Sequence, residues 1–386
     1  MAAGADVKCN RRTVFVGLLP YLAWVLLASV VIAPPLIVRA QGLEAQGQLA
    51  EARRLSQEAE RLAAAGQFAE AAPLVQRALA LGEEALGPEH PVVAVGLGNL
   101  AVAYSAQGKY PEAELLHRRA LAIREKAFGL QHPAVASSLN NLAGLYAAQG
   151  KYGEAEPLYR RALAIREETL GPEHPDVATG LNSLAVLYGA LGKYPAAEPL
   201  HRRALAIRAK AFGLQHPAVA SSLNDLAELY RAQGRYSEAE PLHQRALAIG
   251  ETALGTEHPA VAVSLNNLAL LYRAQGKFAE AEPLYRRALA IGEKKLGAEP
   301  PHMATSHNNL AALYAAQGKY AEAEPLYRRA VVVAEKALGP EHPNLAVVLD
   351  GLAAVLRKTD RKAEAEQMED RATLISAKRA QTSPTR

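Results

Sequence analysis

From Pro133 onward the apolar residues Val135, Leu139, Leu142, Leu145 and Tyr146 recur at helical spacing. They therefore share one face of a helix. Proline suits the first turn of such a helix, where its missing N–H costs nothing. Gln149-Gly150 ends the run, because glycine readily takes the left-handed conformation just past a helix. Tyr152 opens a second run, in which Ala155, Leu158, Tyr159, Ala162, Leu163 and Ile165 form the apolar stripe. Leu170-Gly171 closes it. The predicted unit is a pair of antiparallel helices, with Ala143, Ala155 and Ala162 where the two approach most closely.

This unit repeats with a step of 42 residues. His-Pro stands at His90-Pro91, His132-Pro133, His174-Pro175, His216-Pro217, His258-Pro259 and His342-Pro343, and the missing frame carries Pro300-Pro301. Gly108, Gly150, Gly192, Gly234, Gly276 and Gly318 keep the same step. A fixed period of this size means stacked units that bury their apolar faces against one another. The expected fold is all-α, an α-solenoid of about eight helical hairpins over residues 42–377. The hairpins start near 42, 90, 132, 174, 216, 258, 300 and 342. The outer two depart from the pattern, as capping units do, and residues 378–386 read as a frayed polar tail. Phe128–Asn140 recurs unchanged at Phe212–Asn224, so the array has partly grown by duplicating two-hairpin blocks.

Composition agrees with this reading. Half of the residues are hydrophobic yet only 5% are aromatic, which suits helices packed through small side chains. The net charge of +4 is mostly local, since residues 1–40 hold Lys8, Arg11, Arg12 and Arg39 against Asp6. A nucleic-acid partner is not expected from the remaining balance. Cys9 is the single cysteine, so no intrachain disulfide or cysteine metal site exists.

The first 40 residues form a leader. Lys8, Arg11 and Arg12 precede an apolar run from Val14 to Ala33, and Val38-Arg39-Ala40 supplies small or aliphatic residues before Gln41. This matches a secretory signal peptide cut after Ala40. The alternative is an uncleaved single-pass anchor through residues 13–33, the run being long enough to span a bilayer. In both cases the basic flank stays inside and the repeats end up outside the cytoplasm, in a periplasm or secreted.

The hairpin resembles the tetratricopeptide repeat. Leu142, Ala143, Tyr146, Gly150, Tyr152, Ala155 and Ala162 fall where that family's signature has its Leu, Gly or Ala, Tyr, Gly, Tyr, Ala and Ala. That repeat usually spans about 34 residues. The longer version seen here, with its LNNLA and LG-EHP strings, resembles the kinesin light chain subfamily. The leader has no counterpart there, and no heptad coiled coil precedes the repeats, so motor binding is not expected. The resemblance implies a right-handed superhelix whose first helices line a concave groove for a peptide or partner segment.

In that frame the first Asn of each LNN string faces the groove. Asn140, Asn182, Asn224, Asn266 and Asn308 give one carboxamide per hairpin, with Gly98 and Asp350 breaking the row. A carboxamide both donates and accepts, so a row of them can pair with the backbone of an extended peptide. The same residues could instead bond a neighbouring helix. The second Asn of the string (Asn99, Asn141, Asn267, Asn309) is assigned to structure. Arg231, Arg273 and Arg357 share one groove position and Glu228 joins Arg231, a set suited to an acidic partner segment. Elsewhere the groove is small-lined and shallow, as at Gly144, Ala147 and Gly189.

Histidines recur one hairpin apart, farther than ligands of one metal can sit. Only His302 and His307 lie close together, and their spacing of five is poor for chelation. Glu154, Glu156 and their repeats are expected to face solvent. No nucleophile elbow, zinc-protease or phosphate-loop pattern is present. The expected function is a monomeric, non-enzymatic scaffold without cofactors that binds a protein or peptide. A self-associating structural protein and a membrane-tethered assembly factor are the alternatives.

Overall fold

The computed structural model describes residues 42–296 and 301–382. The leader, the start of the seventh frame at Pro300 and residues 383–386 lie outside the described residues. Within them the chain forms sixteen helices and no strand, paired as eight hairpins. The hairpins are Gly42–Ala64 with Phe68–Leu86, Pro91–Ala106 with Tyr110–Phe128, Pro133–Ala148 with Tyr152–Leu170, and Pro175–Ala190 with Tyr194–Phe212. Then follow Pro217–Ala232 with Tyr236–Leu254, Pro259–Ala274 with Phe278–Leu296, Pro301–Ala316 with Tyr320–Leu338, and Pro343–Lys358 with Lys362–Thr382. No described helix is long and apolar enough to cross a membrane. The last helix reaches Thr382, past the expected end near Ala377. Ala, Lys, Arg and Gln favour helix, and no breaker intervenes before Pro384.

Turn chemistry fixes each hairpin. In hairpin 3 the Gly150 N–H bonds Ala147 O and the Lys151 N–H bonds Tyr146 O, a pair that ties off the last carbonyls of the first helix. This geometry needs a left-handed residue, and Gly150 has φ +78°. In hairpin 8 Asp360 takes that position with φ +61°, where other hairpins have glycine.

The histidine of each His-Pro pair is a cap, a role that the sequence reading missed. Its Nδ1 accepts the N–H two residues on, at 3.1–3.2 Å, for His90, His132, His174, His216, His258 and His342. The backbone of the cap is extended, so the ring can reach an N–H that the helix itself cannot satisfy. A polar residue just before a proline at the helix start was the available signal. His174→Ala should cost about 1 kcal/mol in urea unfolding, and His174→Asn should restore most of it.

Packing follows from the apolar stripes. Ala143, Ala155 and Ala162 are fully buried, as the close approach of the helices requires. One core runs without a break from Ala101 to Leu271, so neighbouring hairpins share a single apolar layer. Each fully buried Leu or Ile, such as Leu139 and Ile165, contributes about 1.5–3 kcal/mol by leaving water. A second core continues from Ala269 to Ala365.

Polar staples cross between hairpins. The Tyr188 hydroxyl donates to Glu156 at 3.0 Å, and Arg160 and Lys193 reach the same carboxylate. The pattern recurs at Glu114 with Tyr146, Glu198 with Tyr230, Glu240 with Tyr272 and Glu282 with Tyr314. Glu154 faces solvent as expected, but Glu156 is turned onto the next hairpin with its side chain 24% exposed. A tyrosine hydroxyl one hairpin away gives it a partner that the helical pattern of its own segment does not reveal.

Candidate functional site

From hairpin 2 onward the first helices of neighbouring hairpins pack along one another, whereas the second helices of neighbouring hairpins do not do so to the same extent. The array therefore curves with the first helices on its inner wall, and the Asn row and the Glu228, Arg231 and Arg273 positions belong to them.

The five carboxamides differ in their surroundings. Asn224 is 2% exposed and fully engaged. His243 Nδ1 lies 2.8 Å from its Oδ1, and its Nδ2 donates to Ser264 Oγ of the next hairpin at 3.0 Å. Asn182 is half-buried, with His201 Nδ1 2.8 Å from its Oδ1 and a hydrogen bond to Asp225. Asn140 and Asn266 differ, because their hairpins carry Tyr159 and Tyr285 where those of Asn182 and Asn224 carry histidine. Tyrosine offers no ring nitrogen there, and the buried Oδ1 of each asparagine has no hydrogen-bond partner among the described residues. Asn266 Nδ2 approaches Ser306 Oγ at 3.4 Å. Asn308 is half-buried. In the middle of the row the carboxamides thus join helices, while Oδ1 of Asn140 and of Asn266 is enclosed without a partner among the described residues.

Glu228 and Arg231 form a bidentate ion pair on one helix, each side chain about one-fifth exposed (20% and 19%). Burial pushes the Glu228 carboxyl up, but Arg231 beside it prevails and holds it below the usual range. Burial likewise opposes the Arg231 charge, and Glu228 overrides it and raises the guanidinium. Arg273 is half-buried and forms no ion pair among the described residues. Its charge acts on the buried Tyr285 hydroxyl, which has no hydrogen-bond partner among the described residues and is pushed up to about 12 by burial. The two arginines therefore differ: Arg231 is neutralised by its own helix and Arg273 is not. Arg357, at the same position in hairpin 8, pairs with Glu369.

Three buried histidines and one buried carboxyl extend this polar layer. His117, His201 and His243 are 3%, 3% and 0% exposed, and burial pulls each down to about 4. Asp225 stands where hairpins 2 to 4, 6 and 7 have Asn or Ser, and burial pushes it up to about 6. Sequence reasoning passed over Asp225, although a single acid within an Asn column was a readable signal. The described residues contain no group of three or more His, Cys, Asp or Glu able to hold a metal.

Comparison with known proteins places these repeats. The tetratricopeptide repeat model matches residues 59–126, 134–210, 181–252, 218–294 and 302–375, and a second tetratricopeptide repeat model matches 33–58. No curated protein matches the chain. Among solved structures, a Podosopora anserina putative kinesin light chain with nearly identical TPR-like repeats is 34% identical. The match covers 53% of this chain and 98% of that one, with a TM-score of 0.44. BtubC (BKLC) from P. vanneervenii is 29% identical over 66% of this chain and 94% of that one, with a TM-score of 0.47. A Rap protein complexed with Competence and Sporulation Factor shares the fold at 16% identity, covering 86% and 100% of the two chains with a TM-score of 0.53. With the family model spanning most of its length and a 42-residue step throughout, the chain belongs to the tetratricopeptide repeat family, with repeats of the kinesin light chain-like type.

Proposed function

We propose that this protein is a non-enzymatic scaffold that holds an extended segment of a partner protein against its inner wall. The observation that carries this reading is the row of carboxamides along the inner wall, one on the first helix of each hairpin from Asn140 to Asn308. A peptide backbone supplies N–H donors along its length, and such acceptors take them with little regard to sequence. Arg273, without a carboxylate of its own, suits an acidic side chain of the partner. The Rap protein of the same fold was solved as a complex with Competence and Sporulation Factor, which supports the use of this architecture for binding.

The structural bonds of Asn182 and Asn224 choose the test. Removing those side chains would leave buried polar groups of neighbouring hairpins unpaired, and lost binding would then be confounded with lost stability. Asn140→Ala combined with Asn266→Ala should weaken retention of the native partner tenfold or more, with far-UV circular dichroism and urea midpoint nearly unchanged. Retention equal to the parent's at that intact stability would remove the groove reading.

The site of action in this proposal is outside the cytoplasm, on the strength of the basic, apolar and cleavable pattern of residues 1–40. The mature chain then begins at Gln41 and lacks tryptophan, since Trp24 is the only one. Intact mass of the native product decides between this form and the anchored one.

A further inference from the structure

The two ends of the array touch. The second helix of hairpin 1 lies against the second helix of hairpin 7. The turn of hairpin 2 reaches hairpin 8: a Cβ placed on Gly108 would lie 3.6 Å from His342 Cδ2 and 3.9 Å from Pro343 Cδ, ordinary van der Waals contact. Elsewhere the equivalent glycines Gly150, Gly234, Gly276 and Gly318 have nothing within 4 Å of that point. Burial marks the same place. His342 is 4% exposed, while its equivalents His132 and His216 are exposed and His90, His174 and His258 are partly exposed. Tyr110 is 7% exposed, and Tyr152, Tyr194 and Tyr236 are less buried. A cavity of about 460 Å³ lies along the contact, with Gln107, Lys109 and Tyr110 on one side and Lys336, His342 and Ile375 on the other.

We propose that the edge of hairpin 2 is a docking surface for hairpin 8 of the same chain, so that the solenoid closes on itself as a latched turn. The fit explains why one turn glycine in the array and one cap histidine are covered while their repeats are not. A closed turn encloses the inner wall, whatever that wall binds. The claim does not depend on the groove reading, and its test needs no partner.

The test is amine cross-linking of the full chain with a short bis-succinimidyl ester at low micromolar concentration, followed by peptide mapping of the monomer band. A Lys109–Lys336 link is expected in the monomer, since the two residues line one cavity. Gly108→Arg should reduce that link tenfold or more, because a long side chain is driven into His342 and Pro343. Gly150→Arg is the control: it places the same residue at the same left-handed backbone angle in open space, and should leave the link unchanged. Circular dichroism of both variants checks that the helices remain. The latch is overturned if the link is absent from the parent monomer, occurs only in a dimer band, or falls equally in both folded variants.

Discussion

Lowering the pH from 7 to 4.5 should destabilise the array by about 5 kcal/mol, through three buried imidazoles partly offset by one buried carboxyl. His117, His201 and His243 have folded values near 4 against an ordinary 6.5. The unfolded chain therefore binds more protons than the folded one between these limits. The stability contributed by the neutral rings is fully present above 6.5 and is lost as the pH falls toward 4, about 2.5 kcal/mol each by pH 4.5. Asp225 works the other way. Its folded value is about 6 against 3.8, so the folded chain binds the extra proton and stability rises as the pH falls through that window, by about 2 kcal/mol. Arg124 beside His117 and Arg208 beside His201 add to the cost of charging those rings. His243 feels Glu228 and Arg231 in opposite senses. Tyrosine fills the same position in hairpins 3, 6 and 7, so His201→Tyr with His243→Tyr is a substitution for which the fold has precedents. In urea unfolding the double variant should lose only about 0.5 kcal/mol over the same pH range. A loss as large as the parent's would show that these rings do not govern the acid transition.

The fold was legible in the sequence because its determinants are local and recur. A leucine three or four residues from the next, a glycine past a helix end and a proline at a helix start each act within one turn, and six near-copies make the pattern unmistakable. The site was legible only by position. Counting along the repeat finds Asn182 and Asn224, but their fate depends on whether residue 201 or 243, on another helix, is a histidine or a tyrosine. Asn224 depends further on Ser264 in the next hairpin, 40 residues away. Glu156 was misread for the same reason, its partner Tyr188 being 32 residues distant. Each hairpin's pattern states which face is buried but not which neighbour's polar atom will meet it there. The contact of Gly108 with His342 is more distant still, since it follows from the accumulated curvature of all the hairpins between them.

Replacing Arg231 by Met should cost about 2 kcal/mol, after allowance for the one-fifth exposure of the pair, and the same change at Arg273 should cost almost nothing. Both residues read alike in sequence, as cations at one groove position. In the folded chain Arg231 is the counter-ion of Glu228, so its loss strands a largely buried carboxylate whose two oxygens both bond that guanidinium. Arg273 has no carboxylate to strand. The energetic asymmetry therefore separates a cation used for folding from one free for a partner. Glu228→Gln combined with Arg231→Met should recover most of the loss, because the penalty lies in the unpaired charge rather than in the missing guanidinium. Urea unfolding of the parent, the two single variants and the double variant at pH 7 gives the coupling directly as a double-mutant cycle. Equal losses at Arg231 and Arg273 would mean that the ion pair carries no net weight, and Arg231 would then return to the inner wall as a second cation available to an acidic segment.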